Sequence, residues 1–379
     1  MRLSLHDAWW RLATHDHPHG FSDALAASAL SAGALAYRAG ISVRNLSYDR
    51  GWAKSVALPC RVVSVGNLTV GGTGKTACVA LIAKKLAGHG QRVAVLSRGY
   101  GSARPAPYTL QWREGRLLVD GAEVSEHTDV ADEPLLLARS LEGTPVLVDP
   151  RRDRSGQLAC ERFGAQVAVL DDGFQHRRLR RDCDIVLVHA GMPLGGWALL
   201  PRGPMREPLE ALRRAHVVIM TKADEALEMI GALSERLRAF NPEAIMVTAS
   251  HAPTTVLEPL TGTRHEPQHL QGMRLGLVSS IGDPSGFEAT IRRLQGAVQW
   301  HLRYPDHHPY QASDGAAIRA KAVFEKPQAI VTTEKDWVRL EPVVDHAAWP
   351  APLWVLGIEM RIGQGERELD ARLAGVCVR

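Results

Sequence analysis

The sequence predicts an α/β fold: a mostly parallel sheet with helices on both faces, plus a second, smaller α/β domain. Two patterns predict it. From Arg61 onward, short runs rich in Val, Ile and Leu alternate with longer helical stretches, the order in which crossover helices connect parallel strands. Most of those runs are almost continuously apolar, as strands buried on both faces must be.

The predicted strands of the larger unit are residues 61–65, 92–96, 145–148, 167–170, 184–188, 216–220 and 244–248. Residues 252–273 are rich in Pro, Thr, Gly and His without helical period and read as a linker. The smaller unit, 274–379, has predicted strands at 275–279, 298–304, 329–333 and 353–359, and helices near 286–294 and 315–324. The larger unit is assigned to 41–251, and residues 1–40 to an N-terminal helical segment. In that segment Trp9, Trp10 and an Ala/Leu run to Tyr37, followed by Arg38 and Arg44, suit a helix lying in a membrane interface; packing on the protein's own core is the competing reading.

Bulk composition narrows the class. The 379 residues are 23% charged and 45% hydrophobic, values of a globular protein with a sizeable core. A formal charge of +4 suits an anionic substrate or membrane but falls short of a nucleic-acid scaffold, so no nucleic-acid partner is expected. Five scattered cysteines without a C-x-x-C pair indicate neither a disulfide framework nor a zinc site, and fit a reducing cytoplasm. No uninterrupted apolar run reaches the roughly 18 residues of a membrane span, so none is expected. Nor does the Ala/Leu run have the basic flank or cleavage site of a signal peptide.

The most informative segment is Val63-Ser-Val-Gly-Asn-Leu-Thr-Val-Gly-Gly-Thr-Gly-Lys-Thr76. It leaves a predicted strand and enters a helix predicted over 75–87, the context of a phosphate-binding P-loop. Thr69, Val70, Gly71, Gly72, Thr73, Gly74, Lys75 and Thr76 are therefore the candidate ATP-binding residues. Glycines let backbone N–H groups turn toward phosphate oxygens, and the helix N-terminus adds its dipole. Lys75 can neutralise β/γ charge, and the Thr76 hydroxyl can ligate Mg²⁺. The strict pattern has Gly where this chain has Thr69, so the loop is a variant of the P-loop NTPase type.

Val167-Ala-Val-Leu-Asp-Asp172 is a buried strand ending in two carboxylates, which brings acid to Mg²⁺ at the carboxyl edge of the sheet. Sequence leaves open which of Asp171 and Asp172 reaches the metal. Asp132-Glu-Pro134 precedes an apolar helical run, where its carboxylates serve either the helix N-terminus or proton abstraction from a hydroxyl. Arg177, Arg178, Arg180 and Arg181 form either a phosphate-binding cluster or a solvated face.

Together, several segments resemble the tetraacyldisaccharide 4'-kinase family, the lipid A kinases of Gram-negative bacteria. They are the loop from Ser64 to Thr76, Leu96-Ser-Arg-Gly-Tyr-Gly101, Asp132-Glu-Pro134, residues 149–154 and Leu170-Asp-Asp-Gly-Phe-Gln-His176. Leu200-Pro-Arg-Gly-Pro-Met-Arg-Glu-Pro208, Thr221-Lys-Ala-Asp224, Tyr304-Pro-Asp-His-His308 and Thr333-Glu-Lys-Asp336 continue in family order. The resemblance implies two α/β/α units joined by a short β linker, with ATP and Mg²⁺ on the N-terminal one. It also implies ATP-dependent phosphorylation of the 4'-hydroxyl of an acylated glucosamine disaccharide 1-phosphate at the cytoplasmic face of the inner membrane, with no obligate protein partner.

By the same resemblance Asp132 is the catalytic base, His307 its partner from the smaller domain, and Asp171 and Asp172 the metal acids. Glu133, Arg154, His176, Arg206 and Glu207 are candidates near phosphate or lipid headgroup. A histidine from one domain meeting an aspartate from the other would couple domain closure to assembly of the base. Two departures are Ala77, where the family usually has Pro, and Arg202, where it has Ala. The competing reading is a P-loop GTPase or metallochaperone-type regulator, because Thr221-Lys-Ala-Asp224 fits the T/N-K-x-D pattern that reads guanine.

Overall fold

The computed structural model describes residue 9 and residues 21–124, 129–191, 198–344 and 349–378. In chain order the elements are α1 (Phe21–Asp49), β1 (Arg61–Asn67), α2 (Lys75–Gly88), β2 (Val93–Ser97), β3 (Tyr108–Arg113), β4 (Arg116–Val119), β5 (Ala122–Glu123), α3 (Asp132–Ser140), β6 (Val146–Val148), α4 (Arg152–Phe163), β7 (Val167–Asp171), β8 (Cys183–His189) and β9 (Val217–Thr221). They continue with α5 (Ile230–Phe240), β10 (Ile245–Glu258), β11 (Thr263–His265), β12 (Arg274–Ser279), α6 (Pro284–Arg293), β13 (Ala297–Arg303), α7 (Ala312–Glu325), β14 (Ala329–Thr333), α8 (Glu334–Leu340), β15 (Leu353–Ile362) and α9 (Glu366–Cys377).

The chain divides into two compact units, and the division is not linear. Unit 1 gathers Met1–Arg98, Leu147–Ser250 and Ile362–Arg379; unit 2 gathers Gly99–Val146 and His251–Arg361. The two units depart in two places from the order expected from sequence, 41–251 followed by 274–379. Residues 99–146 group with unit 2 because α3 packs along α8. The last helix returns to unit 1, where α9 packs on α2 and Lys85 pairs with Glu366 and Asp370, both at 2.9 Å. The stretch expected as a linker contains the end of β10, which pairs antiparallel with β11.

In unit 1 the strands run in the order β10, β9, β8, β1, β7, β2, β6. Pairs β10–β9, β9–β8, β8–β1, β1–β7 and β7–β2 are all parallel. β1 sits centrally, and six of its seven residues are buried. Alternate strand residues face opposite sides: Val62, Ala94, Leu96, Ala168 and Leu170 pack with Ala159 of α4. The helix α2 packs against β1, β2 and β7 through Cys78, Val79, Ile82, Ala83 and Leu86, the i, i+4, i+8 spacing of one helical face.

In unit 2, β13, β12, β14 and β15 lie side by side and parallel. β3, β4 and β5 form an antiparallel meander. These three strands lie outside those that the sequence predicts. A core of Trp300, Tyr310, Ile318, Ile330, Trp337 and Leu340 fixes α7 and α8 on that sheet.

The N-terminal segment carries one long helix, α1. The helix that includes Asp23–Asp49 is long and apolar enough, by length and composition, to cross a membrane, and little of its most apolar stretch is buried. Arg38 and Arg44 interrupt its apolar run. Trp10 lies outside the described residues.

Candidate active site

The phosphate loop begins where β1 ends. Gly71 and Gly74 adopt positive φ, 107° and 79°, a region that favours residues without a Cβ. Gly74 is the N-cap of α2 and brings no side-chain cap, which leaves the first-turn amides of Lys75 and Thr76 to an anion. The loop is braced from both sides. Asn67 Nδ2 donates to Thr73 Oγ1 at 2.8 Å, and Val70 N donates to Pro204 O at 2.8 Å. Thr69, standing where the strict pattern has Gly, is buried and bridges to Met205 without a positive φ, so that position has no need of glycine here. Gly66 is required by space: a Cβ there would lie 2.7 Å from Phe174 Cβ and N.

The acidic pair closes β7, the neighbour of β1. Asp171 is buried, and its Oδ2 accepts from Ser97 Oγ at 3.0 Å. Asp172 follows at φ 51°, in the left-handed region. Its carboxylate is gripped by Arg206 and lies 3.8 Å from Lys75 Nζ. Burial pushes the Asp172 carboxyl up, but Arg206, Lys75 and Arg152 outweigh it and hold the group below its usual range. Arg206 also donates a short hydrogen bond to Asn67 Oδ1, joining the 200–208 loop to the base of the P-loop.

Arg152 is the residue that sequence reasoning passed over in favour of Arg154. It is buried and donates from Nη2 to Asp171 O at 3.3 Å, whereas Arg154 is half exposed and donates to Asp149 Oδ2 at 2.7 Å. Successive residues of α4 are about 100° apart, so of two residues two positions apart only one faces the sheet. His176 sits beside Arg152, where burial, then Arg152 and Arg181, push its imidazole down to about 4. It is neutral at physiological pH, and its buried Nε2 has no hydrogen-bond partner.

Glu207 is fully buried. Arg44 at 3.2 Å, Asn45 at 3.1 Å and Arg214 at 2.9 Å take its oxygens, so it ties α1 to the 200–208 loop. In the arginine cluster, Arg177 pairs with Asp49, Arg178 with Asp153 and Arg181 with Asp184, while Arg180 is exposed.

A second cluster lies wholly within unit 2. Asp132 opens α3, directly after the N-cap Ala131. Its Oδ2 lies 3.4 Å from Arg339 Nη1 and 3.8 Å from His307 Nδ1. Asp132 and His307 thus belong to one compact unit, and their approach to each other is built into it rather than waiting on closure of two. Glu133 lies 3.9 Å from Lys335 Nζ. Catalytic contacts in ligand-free proteins are commonly longer than hydrogen bonds. Within the two units, then, the phosphate loop gathers Asp171, Asp172 and Arg206, and Asp132 gathers His307.

Comparison with known proteins agrees with these motifs. The family model described as Tetraacyldisaccharide-1-P 4'-kinase matches residues 26–377. A tetraacyldisaccharide 4'-kinase of Syntrophus aciditrophicus is 43% identical over 336 residues, covering 86% of this chain and 87% of the relative. One from Anaeromyxobacter dehalogenans is 40% identical over 371 residues, covering 97% and 93%. Among solved structures, the "apo" form of LpxK from Aquifex aeolicus in complex with ATP is similar at TM-score 0.71 and 28% identity, covering 93% of this chain and 99% of that one. The GTPase alternative drawn from Thr221 to Asp224 finds no comparable support. With its P-loop, paired strand-end acids and Asp132–His307 cluster in family order, this chain belongs to the tetraacyldisaccharide-1-P 4'-kinase family.

Proposed function

We propose that this chain transfers the γ-phosphoryl group of ATP to the 4'-hydroxyl of a tetraacylated glucosamine disaccharide 1-phosphate, a step of lipid A biosynthesis, at the cytoplasmic face of the inner membrane. The observation that supports it most is the uncapped N-terminus of α2 with Lys75 and Arg206 beside it, in a chain of a 4'-kinase family. The amides of the 69–76 loop and Lys75 Nζ hold the triphosphate. Asp132 takes the proton of the 4'-hydroxyl as its oxygen attacks phosphorus. Little covalent chemistry is left to the protein, so positioning and charge neutralisation supply most of the rate.

The donor set fits Mg²⁺, a hard cation that takes few protein oxygens and keeps phosphate and water oxygens besides. Among the described residues no cluster of three His, Cys, Asp or Glu is present, and this metal needs none. The Thr76 hydroxyl and the Asp171 carboxylate would hold it; Asp172 is already engaged by both nitrogens of Arg206. When bound, the ion neutralises charge on the β- and γ-phosphates.

For α1 we propose an interfacial rather than a spanning role. From Tyr37 onward the helix is tied down: Tyr37 donates to Arg206 O at 3.1 Å, and Arg44 and Asn45 hold Glu207. The apolar part left before Tyr37 is shorter than the roughly 20 residues a span requires. Leu25 and Leu35 are 65% and 69% exposed, free to enter the lipid interface.

The test is direct. The purified protein is incubated with Mg-ATP and the disaccharide lipid in detergent, and the product is examined by mass and by ³¹P NMR. One added phosphate on the 4'-position is expected; an unchanged lipid, or turnover with GTP alone, refutes the reading.

A further inference from the structure

The helix opened by the Thr333-Glu-Lys-Asp336 run holds two cations that the proposed chemistry leaves unassigned. Lys335 and Arg339 are four residues apart and so share one side of α8. The Arg339 side chain is nearly buried, and its Nη1 lies 3.4 Å from Asp132 Oδ2. Its Nη2 is fixed by Asp336 Oδ1 at 2.8 Å, Ser280 Oγ at 2.9 Å and Ser280 O at 3.3 Å. Asp336 is itself fully buried and accepts from Ser280 N, Ser280 Oγ and Thr333 Oγ1 at 2.9, 2.6 and 2.8 Å. A rigid planar guanidinium held on one edge presents its other edge in a fixed direction, here at Asp132.

Lys335 addresses the histidine. Its Nζ lies 3.2 Å from His307 Nε2, with Asp306 Oδ1 at 3.8 Å and Glu133 Oε1 at 3.9 Å around it. An ammonium has three donors and no acceptor, so the imidazole nitrogen must accept. A neutral ring that accepts at Nε2 keeps its proton on Nδ1, the nitrogen that faces Asp132. The His307 backbone is set by the same corner of the fold, since its N donates to Ser280 O at 3.1 Å.

We propose that Lys335 and Arg339 are positioning residues of the kinase reaction: Arg339 orients the Asp132 carboxylate, and Lys335 selects the Nδ1–H tautomer of His307 that offers Asp132 a donor. This rests on reading Asp132 as the base. It extends that reading from two residues to four, aligned by Asp336 and Ser280.

The test uses the full-length protein with Lys335→Met, Lys335→Arg, Arg339→Met and Arg339→Lys. Ring ¹⁵N signals of His307, assigned by their loss in His307→Gln, report the tautomer. The expected wild-type pattern is a protonated Nδ1 and a bare Nε2; in Lys335→Met the balance moves to the Nε2–H form, and Lys335→Arg restores it. In Lys335→Met and Arg339→Met kcat should fall about tenfold, a part of the hundredfold or more that a general base supplies, with both KM values within twofold. Arg339→Lys should recover part of that loss if charge at Asp132 matters. Should Arg339→Met fail to fold, the partly exposed Lys335 still decides the matter. A wild-type ring protonated at Nε2, or Lys335→Met with unchanged kcat, overturns the proposal. Normal turnover in Asp132→Asn refutes the base itself and with it the kinetic role of both cations, an outcome separable from the ring signals.

Discussion

Arg206 holds both carboxylate oxygens of Asp172, Nη1 to Oδ2 at 2.9 Å and Nη2 to Oδ1 at 2.6 Å. A bidentate pair of this kind fixes direction as well as distance. Here it anchors the residue after β7 to the 200–208 loop, and the same guanidinium reaches Asn67 at the start of the P-loop. The phosphate loop is therefore held in shape by residues about 140 positions downstream.

That pairing predicts a pH dependence. Asp172 is held below the ordinary carboxylate range in the folded protein, so its contribution to stability is present above the unfolded value of about 3.9 and is lost as pH falls through the lower folded value. In urea melts, Arg206→Met should lie below wild type throughout neutral pH. The gap should narrow only on acidification beneath the usual carboxylate range. A gap independent of pH would assign the effect of Arg206 to packing.

Removing charge from either half of the chemistry should be costly. Lys75→Ala loses a contact to the transferring phosphate, and Asp132→Asn loses the proton acceptor. Each is expected to lower kcat by about a hundredfold or more. Steady-state kinetics with saturating ATP and lipid check both, and near-normal turnover removes that residue from its role.

Glu207 should behave as a structural residue. Its carboxylate is wholly buried among Arg44, Asn45 and Arg214, and Glu207→Gln leaves the cations uncompensated at a cost of about 3 kcal/mol. A lowered urea midpoint with little change in lipid KM is the expected result. A raised KM with unchanged stability would return Glu207 to the substrate.

The α1 surface makes a separable prediction. Leu25→Glu with Leu35→Glu should reduce cosedimentation with anionic vesicles severalfold while leaving kcat on detergent-dispersed lipid within twofold, because both leucines point to solvent. Undiminished vesicle binding would place the contact elsewhere.

What the sequence disclosed followed from local physics. A buried parallel strand, a glycine turn and Lys75-Thr76 are contiguous, so β1, the loop and α2 were legible together, as were β7 and its terminal aspartates. What stayed hidden depends on distant chain. Arg152 and Arg154 look alike in sequence, and only the face of α4 that meets the sheet distinguishes them. Glu207, by resemblance a candidate near phosphate or lipid headgroup, is instead enclosed by Arg44 and Arg214 from distant chain. The β3–β5 meander has clear alternation at Tyr108, Leu110 and Trp112, a signal that the stronger βα pattern on either side overshadowed.

The non-linear division of the chain bears on how the protein is made. Synthesis must pass residue 362 before every segment of unit 1 exists, since α9 is the last to join α2. A ribosome-bound intermediate ending near residue 250 would leave the α9-facing side of α2 bare, and Lys85 without the two carboxylates it meets there. Severing the polypeptide at that point would give an unfinished body rather than a free-standing nucleotide module.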